Sequence, residues 1–416
     1  MPTHGLARAL AAQLDELSRA GLLKGAESVL CGVIAPRDGN GPRFLIEGEG
    51  DKPFLRMNAN NYLGMSLREE VIAAEEKAAA KFGAGPGAVR FISGTWSPHV
   101  ALERRLADFH SRPAAIIFSS AYAAIMGLIP QLVGKKTAVI SDELNHNCII
   151  NAISLAAPEE KRIYKHLDMG ELERCLDEAA KSCNRAIIVT DGVFSMRGDH
   201  APLDRVMSLA RSRDSAFREG VIVVVDDSHG VGALGATGRG TEEYTHAGPV
   251  DILVATLGKA FGVNGGYVVG DEILIRYLRE RSPFYVYSNP ITPAEAAAAH
   301  QAINVLDSPQ GLSLLEHLRA MTARFKAGLI RLGFETLPSE HPVVPLVTRD
   351  SARTLALVAH LRRRGVLVTG LTYPVVPKGD EEIRFQISAD HTAADIDAAL
   401  ETLAEMAESK ASAASN

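Results

Sequence analysis

Asp251-Ile252-Leu253-Val254-Ala255-Thr256-Leu257-Gly258-Lys259-Ala260-Phe261-Gly262 is an apolar run that stops on a hydroxyl, a glycine and one lysine. Its centre is aliphatic with no polar alternation, which suits a strand covered on both faces, and such strands belong to parallel sheets. The run therefore delivers Lys259 to a buried sheet end. Desolvation there lowers a lysine pKa and frees the amine as a nucleophile or base. By itself the stretch decides little, because most lysines that follow a strand are solvated.

A second run upstream, Val221-Ile222-Val223-Val224-Val225, ends in Asp226-Asp227-Ser228-His229-Gly230. In open α/β sheets ligands bind beyond the carboxyl ends of the strands, so Asp226, His229 and Lys259 can meet there although distant in sequence. A carboxylate against a pyridine nitrogen keeps that ring protonated, and a protonated ring is an electron sink for a carbanion beside it. Aspartate and lysine at the ends of two buried strands read as a pyridoxal 5'-phosphate site. The plainer alternative is two core strands capped by solvated polar residues.

Outward from these two strands, apolar runs at 115–118, 138–140, 186–190 and 267–269 alternate with helical spacings, as crossover connections require. This predicts an α/β fold whose large domain has a mostly parallel sheet between helices. Residues 293–306 and 312–332 read as long helices, and beyond them strand, helix, strand, strand and helix make a smaller α+β module. The expected organisation is an N-terminal helix and arm over 1–57, a large domain over 58–300, a C-terminal domain over 301–410 and a frayed tail over 411–416. Leu6, Leu10, Leu14, Leu17 and Leu22 recur at helical spacing, so residues 3–23 predict an amphipathic helix that packs on a partner surface.

Composition narrows the function. An apolar fraction of 46% and a charged fraction of 23% suit a globular enzyme, and a net charge of -6 without a basic stripe argues against nucleic acid. Cys31, Cys148, Cys175 and Cys183 lack metal-site spacing, so no metal is expected and a reducing cytoplasm fits. No apolar run approaches the ~20 residues needed to span a bilayer.

Three loops add chemistry. Ser119-Ser120-Ala121-Tyr122 follows a strand and opens a helix, where backbone N–H groups suit a phosphate. His146, four residues after Asp142, can stack on an aromatic ring, and Ser195 in Asp191-Gly192-Val193-Phe194-Ser195-Met196 is a candidate donor to a cofactor oxygen. The glycine-rich segment 82–95 is not a P-loop, because the Lys-Ser/Thr ending is missing.

Together with Asn60-Asn61-Tyr62-Leu63-Gly64 and Thr256-Leu257-Gly258-Lys259, these motifs resemble in order and spacing the α-oxoamine synthases, fold-type I pyridoxal phosphate enzymes that condense an amino acid with an acyl-CoA. The resemblance spans nearly the whole chain. It is strongest to the glycine C-acetyltransferase (2-amino-3-ketobutyrate CoA ligase) branch through 368–379, Ile383-Arg384, Ser388-Ala389-Asp390-His391-Thr392, Arg281-Ser282 and Tyr287-Ser288-Asn289. The resemblance implies that Lys259 is the Schiff-base lysine and the acid/base at the α-carbon. It implies that Asp226 pairs with the ring nitrogen, that His146 stacks on the ring, and that His229 and Ser195 contact the ring oxygen. The phosphate would rest on Ser120, Ala121, Tyr122, Thr256 and the partner subunit's Ser288, which makes a homodimer with shared sites. Arg384, helped by Asn60, would hold the substrate carboxylate, a task for which a bidentate guanidinium is suited.

Arg197 stands where an aspartate is usual in the family, Ile125 where an asparagine is common and Ala88 where a serine is common. These departures are expected near the pocket and bear on substrate choice. The alternatives to a glycine acetyltransferase are a decarboxylating sister synthase using serine or alanine with a longer acyl-CoA, an aminotransferase sharing the fold, and a pyridoxal-binding protein without turnover.

Overall fold

The computed structural model describes residues 3–23, 27–373 and 375–413. Its centre is a seven-stranded sheet in the order Ala114–Phe118, Gly266–Gly270, Ile252–Thr256, Val221–Asp226, Arg185–Asp191, Thr137–Asp142, Glu160–Tyr164. Every pairing is parallel except those of Gly266–Gly270, which runs antiparallel to both neighbours. The physical reason is burial on both faces. Along these strands Val223, Val225, Leu253, Ala255, Tyr267 and Val269 enter one core cluster. Val224, Ile252, Val254 and Val268 enter the other. Alternate side chains point to opposite faces, so an unbroken aliphatic run serves two cores at once.

Helices supply the covering layers. Ala121–Leu132, Asn147–Ala156 and Glu272–Arg281 contribute to one cluster, and Ser97–Phe109, Met169–Ala179, Leu203–Arg213 and Pro293–Leu306 to the other. Their starts are marked by side-chain caps. Ser120, Asp168, Asp271 and Thr292 each accept a backbone N–H of the first turn, and Thr292 with Glu295 completes a capping box.

A four-stranded antiparallel sheet, Glu335–Thr336, Val343–Val347, Glu382–Gln386, Thr369–Leu371, forms the core of the C-terminal part. The arm reaches it directly, since Leu55–Arg56 pairs in parallel with Val366–Leu367. Val366–Leu367 and Thr369–Leu371 are thus two strands broken at Val368, one bonded to the arm and the other to Glu382–Gln386. The long helix expected over 312–332 is Pro309–Arg331, starting three residues earlier because Ser308 caps it there. The last helix runs over Ala393–Ala413, so it takes in the first half of the expected tail, and residues 414–416 lie outside the described residues.

The N-terminal helix, His4–Arg19, has no buried residue, and Leu6, Leu10, Leu14 and Leu17 lie open along it. Nothing in the described chain covers that stripe. Among the described residues no helix is long and apolar enough to cross a membrane.

Candidate active site

The carboxyl ends of the parallel strands meet a cavity of ≈ 240 Å³. Lys259 and Thr256 come from one strand end, Asp226, Ser228 and His229 from the next, and Asp191, Val193 and Ser195 from the third. His146 and Cys148 follow Thr137–Asp142, and Ser120, Ala121 and Tyr122 follow Ala114–Phe118. Residues up to 139 positions apart in the chain thus share one wall, as sheet topology demands.

Burial sets the electrostatics. Desolvation lowers the pKa of Lys259, opposed by the nearby charges of Asp226 and Asp191 and assisted by Arg384. The amine is therefore easier to free than an exposed lysine's. Burial also lowers His146 and drives His229 well below the ordinary histidine value, with Lys259 adding to the fall, which favours the neutral imidazole at both. Asp191 moves the other way. Burial and the adjacent Asp226 charge hold its carboxyl well above the usual range.

Short-range bonds hold these groups in place. Ser120 Oγ accepts the Ala123 N–H at 3.0 Å, which leaves the Ala121 and Tyr122 amides at the helix start without partners among the described residues. Gly266 makes that loop possible, because a Cβ there would lie 2.1 Å from the Ala121 nitrogen. The His146 N–H donates to Asp191 Oδ2 at 3.0 Å, and its Nδ1 accepts the Cys148 N–H at 3.2 Å. The Cys148 thiol donates to Asp226 Oδ2 at 3.6 Å, and the Ser228 N–H reaches Asp226 Oδ1 at 3.1 Å. Asn145 joins the strand ends, its amide donating to Val189 O and its carbonyl accepting the Asp191 N–H.

His229 Nδ1 lies 2.7 Å from the Tyr62 hydroxyl, which also lies 3.3 Å from Asn60 Oδ1, and Gln386 donates to that same oxygen at 2.5 Å. Asn60 is thus linked to the cavity through Tyr62 and His229 without lining it. Arg384 also stands behind the wall. Its Nη1 donates to the Ser195 carbonyl at 3.0 Å, and its Nε is buried with no partner among the described residues.

Nine of the ten residues expected around the cofactor line the cavity; Ser288 does not, lying on the half-exposed segment after Pro283–Val286. The expectation that Ile125 and Ala88 lie near the pocket needs correction. Ile125 points into the apolar core behind the helix, and Ala88 is outside the lining. Arg197 is two residues from Ser195 but pairs away from the cavity with Asp199 at 2.8 Å. Cys148 and the buried Asp191 are contributors that sequence reasoning did not assign, and the position of Cys148 two residues after His146 was the available signal.

The fit to pyridoxal phosphate follows from these donors. The cavity offers free amides at a helix start for a phosphate, a buried aspartate for a ring nitrogen, and a desolvated lysine.

Residues 52–403 match the model of the family "Aminotransferase class I and II". The chain belongs to that family. Within it, the chain is an α-oxoamine synthase with the fold-type I architecture, a pyridoxal-phosphate-dependent acyl-CoA:amino acid acyltransferase. It is 41% identical over 376 residues to the mitochondrial 2-amino-3-ketobutyrate coenzyme A ligase of Bos taurus, covering 90% of this chain and 87% of that one. It is 40% identical over 365 residues to 8-amino-7-oxononanoate synthase 1 of Bacillus velezensis, covering 87% and 90%. Among solved structures, the serine palmitoyltransferase of Sphingomonas wittichii superposes with a TM-score of 0.86 at 27% identity over 97% of each chain.

Proposed function

We propose that this α-oxoamine synthase condenses glycine with acetyl-CoA, releasing coenzyme A and a 2-amino-3-keto acid. The observation that carries an amino acid substrate is the orphaned Nε of Arg384, a buried guanidinium nitrogen beside the cavity that a carboxylate would satisfy. The bound pyridoxal ring supplies the electron sink that stabilises charge at the amino acid α-carbon. The protein's own groups do the rest. Lys259, freed by desolvation, takes the proton from the α-carbon and returns it after the carbon–carbon bond forms. Asp226 would hold a proton on the ring nitrogen, and Cys148 and the Ser228 amide hold Asp226. His146 would cover the ring face, and His229 and Ser195 would meet its oxygen. The amides of Ala121 and Tyr122, with Ser120 and Thr256, would take the phosphate. For that contact the Thr256 hydroxyl must turn from Gly265 O, to which it donates at 3.1 Å.

A homodimer belongs to this reading. Ser288 is outside the cavity of its own chain, and the bare leucine stripe of His4–Arg19 offers a surface for a second copy. The arm over 1–57, the large domain over 58–300 and the C-terminal domain over 301–410 are its proposed units. Four unpaired cysteines, three of them buried, support the cytoplasm as its compartment.

The second reading is a decarboxylating synthase, favoured by the near-equal identity to the Bacillus velezensis enzyme. Thiol release from acetyl-CoA by the pyridoxal-loaded protein decides between them, with glycine compared against serine and alanine. Release with glycine alone supports the acetyltransferase. Release only with alanine or serine and a longer acyl-CoA moves the assignment to the sister enzymes, and formation of pyridoxamine phosphate with no thiol would return it to the aminotransferases.

A further inference from the structure

His166 lies between the strand Glu160–Tyr164 and the helix Met169–Ala179, outside the cavity and in no role assigned so far. Its imidazole joins two carboxylates. Nδ1 is 3.1 Å from Asp142 Oδ1, at the end of the strand that leads to His146, and Nε2 is 3.2 Å from Asp199 Oδ2, on the loop that carries Ser195. The Phe194 ring meets the imidazole edge-on with centroids 4.4 Å apart. Asp142 is wholly buried and takes the Leu167 N–H on its second oxygen at 3.0 Å. Asp199 Oδ1 is buried without a partner among the described residues, so its charge is answered through Oδ2 by His166 and Arg197. The loop is tied inward as well, because the Phe194 N–H donates to Asp199 O at 2.9 Å and the Ser195 carbonyl receives Arg384.

We propose that His166, clamped between Asp142 and Asp199, is a positioning residue that holds the Ser195 loop and its Arg384 contact in register with the His146 strand end. The proposal rests on the reading of the cavity as a pyridoxal phosphate site. A buried carboxylate and a half-buried one facing each other across a neutral ring would repel, whereas a doubly protonated ring donates to both. The surroundings of His166 support the charged form. Burial pulls its pKa down, but the bonds and charges of Asp142 and Asp199 outweigh that and push it up to about 9. Glu143 adds a carboxylate at the His166 backbone N–H, 2.9 Å away. Arg197 opposes it from the loop, and across the loop Glu382 is pushed up to about 7 by burial against the pull of Arg384 and Arg197. Because the folded pKa exceeds the ordinary 6.5, the clamp's stabilisation is complete below about pH 6.5 and is lost as pH rises through about 9. Arg197, a cation where the family commonly has an aspartate, shares the same Asp199 oxygen and keeps the loop answered after His166 loses its proton.

The first test needs no substitution. Hydrogen–deuterium exchange at the histidine C2 position, read by mass spectrometry on the wild-type protein, should give His166 a midpoint near 9. A midpoint at or below the ordinary value overturns the clamp. The second test uses His166→Gln and Asp199→Asn loaded with pyridoxal phosphate. Cofactor stoichiometry should be kept, the visible circular-dichroism band should weaken, and kcat/KM for the amino acid should fall about tenfold to a hundredfold, as displaced reacting groups do. Wild-type dichroism and kcat/KM in both variants overturn the proposal. The exchange midpoint does not depend on cofactor or turnover, so it stays informative even if the wild-type protein releases no thiol.

Discussion

Asp226 and Asp227 are neighbours in the chain and opposites in the molecule. Asp226 faces the cavity, held by the Ser228 amide and the Cys148 thiol. Asp227 faces inward, where it accepts the Thr241 hydroxyl at 2.6 Å and the Thr241 N–H at 2.7 Å. Its carboxylate is packed so closely that a Cβ at Gly192, Gly230 or Gly240 would come within 2.1, 2.0 or 2.0 Å of it. Burial pushes the Asp227 pKa up to about 7 against the pull of the Thr241 bonds. Consecutive residues at a strand end turn to opposite sides, so one aspartate serves the chemistry and its twin holds the loop that presents it.

The comparison predicts which changes strike turnover and which strike stability. The largest effect belongs to Lys259→Ala, which should remove the visible absorbance of the loaded protein and lower turnover about a thousandfold or more. Wild-type turnover would break the assignment of the cavity. Asp226→Asn should lower kcat about a hundredfold to a thousandfold, the scale of losing an aimed charge, while the melting temperature changes little. Asp227→Asn should do the reverse, costing about 1–3 kcal/mol of stability in urea titration with kcat per folded molecule kept. If the two aspartates lose the same property, the division between them fails. Gly230→Ala tests the packing side of the same contrast and should cost about 1–3 kcal/mol, as overpacking does. The smallest effect is in pH. Asp227 binds its proton more tightly folded than unfolded, so its contribution to stability should be full below about pH 4 and fade as pH rises through about 7. The urea midpoint measured across that window should slope less in Asp227→Asn than in the wild type.

The strand Val221–Asp226 that presents this pair and its neighbour Ile252–Thr256 were legible because both are aliphatic along their length, and double burial leaves that mark on any sequence. The strand Glu160–Tyr164 was not. Its Glu160-Lys161-Arg162-Ile163 sequence reads as a charged surface, since an edge strand has one neighbour and alternates exposed positions. The helix Met169–Ala179 was missed with it, although Asp168 and Glu171 marked its start.

For the site, the residues that sit in recognisable motifs reached the cavity where expected, and the supporting groups were hidden. Cys148 looked like any buried thiol, and the paths from Asn60 through Tyr62 to His229 and from Arg384 to Ser195 join residues more than 160 positions apart. Ile125 shows the converse error. It stands next to the phosphate-loop motif in sequence, yet a helix turns each successive residue by about a quarter turn, and this one faces the core.

By itself the sequence determined the layered α/β architecture, the strand ends that converge, and the family, because local burial pattern and motif spacing are written along the chain. Only the tertiary structure decided which aspartate of the pair reaches the cavity, which departures matter to it, and that His166 lies between two loops it does not adjoin in sequence. Those outcomes depend on the face each residue presents and on contacts between distant strands, and a one-dimensional pattern does not carry either.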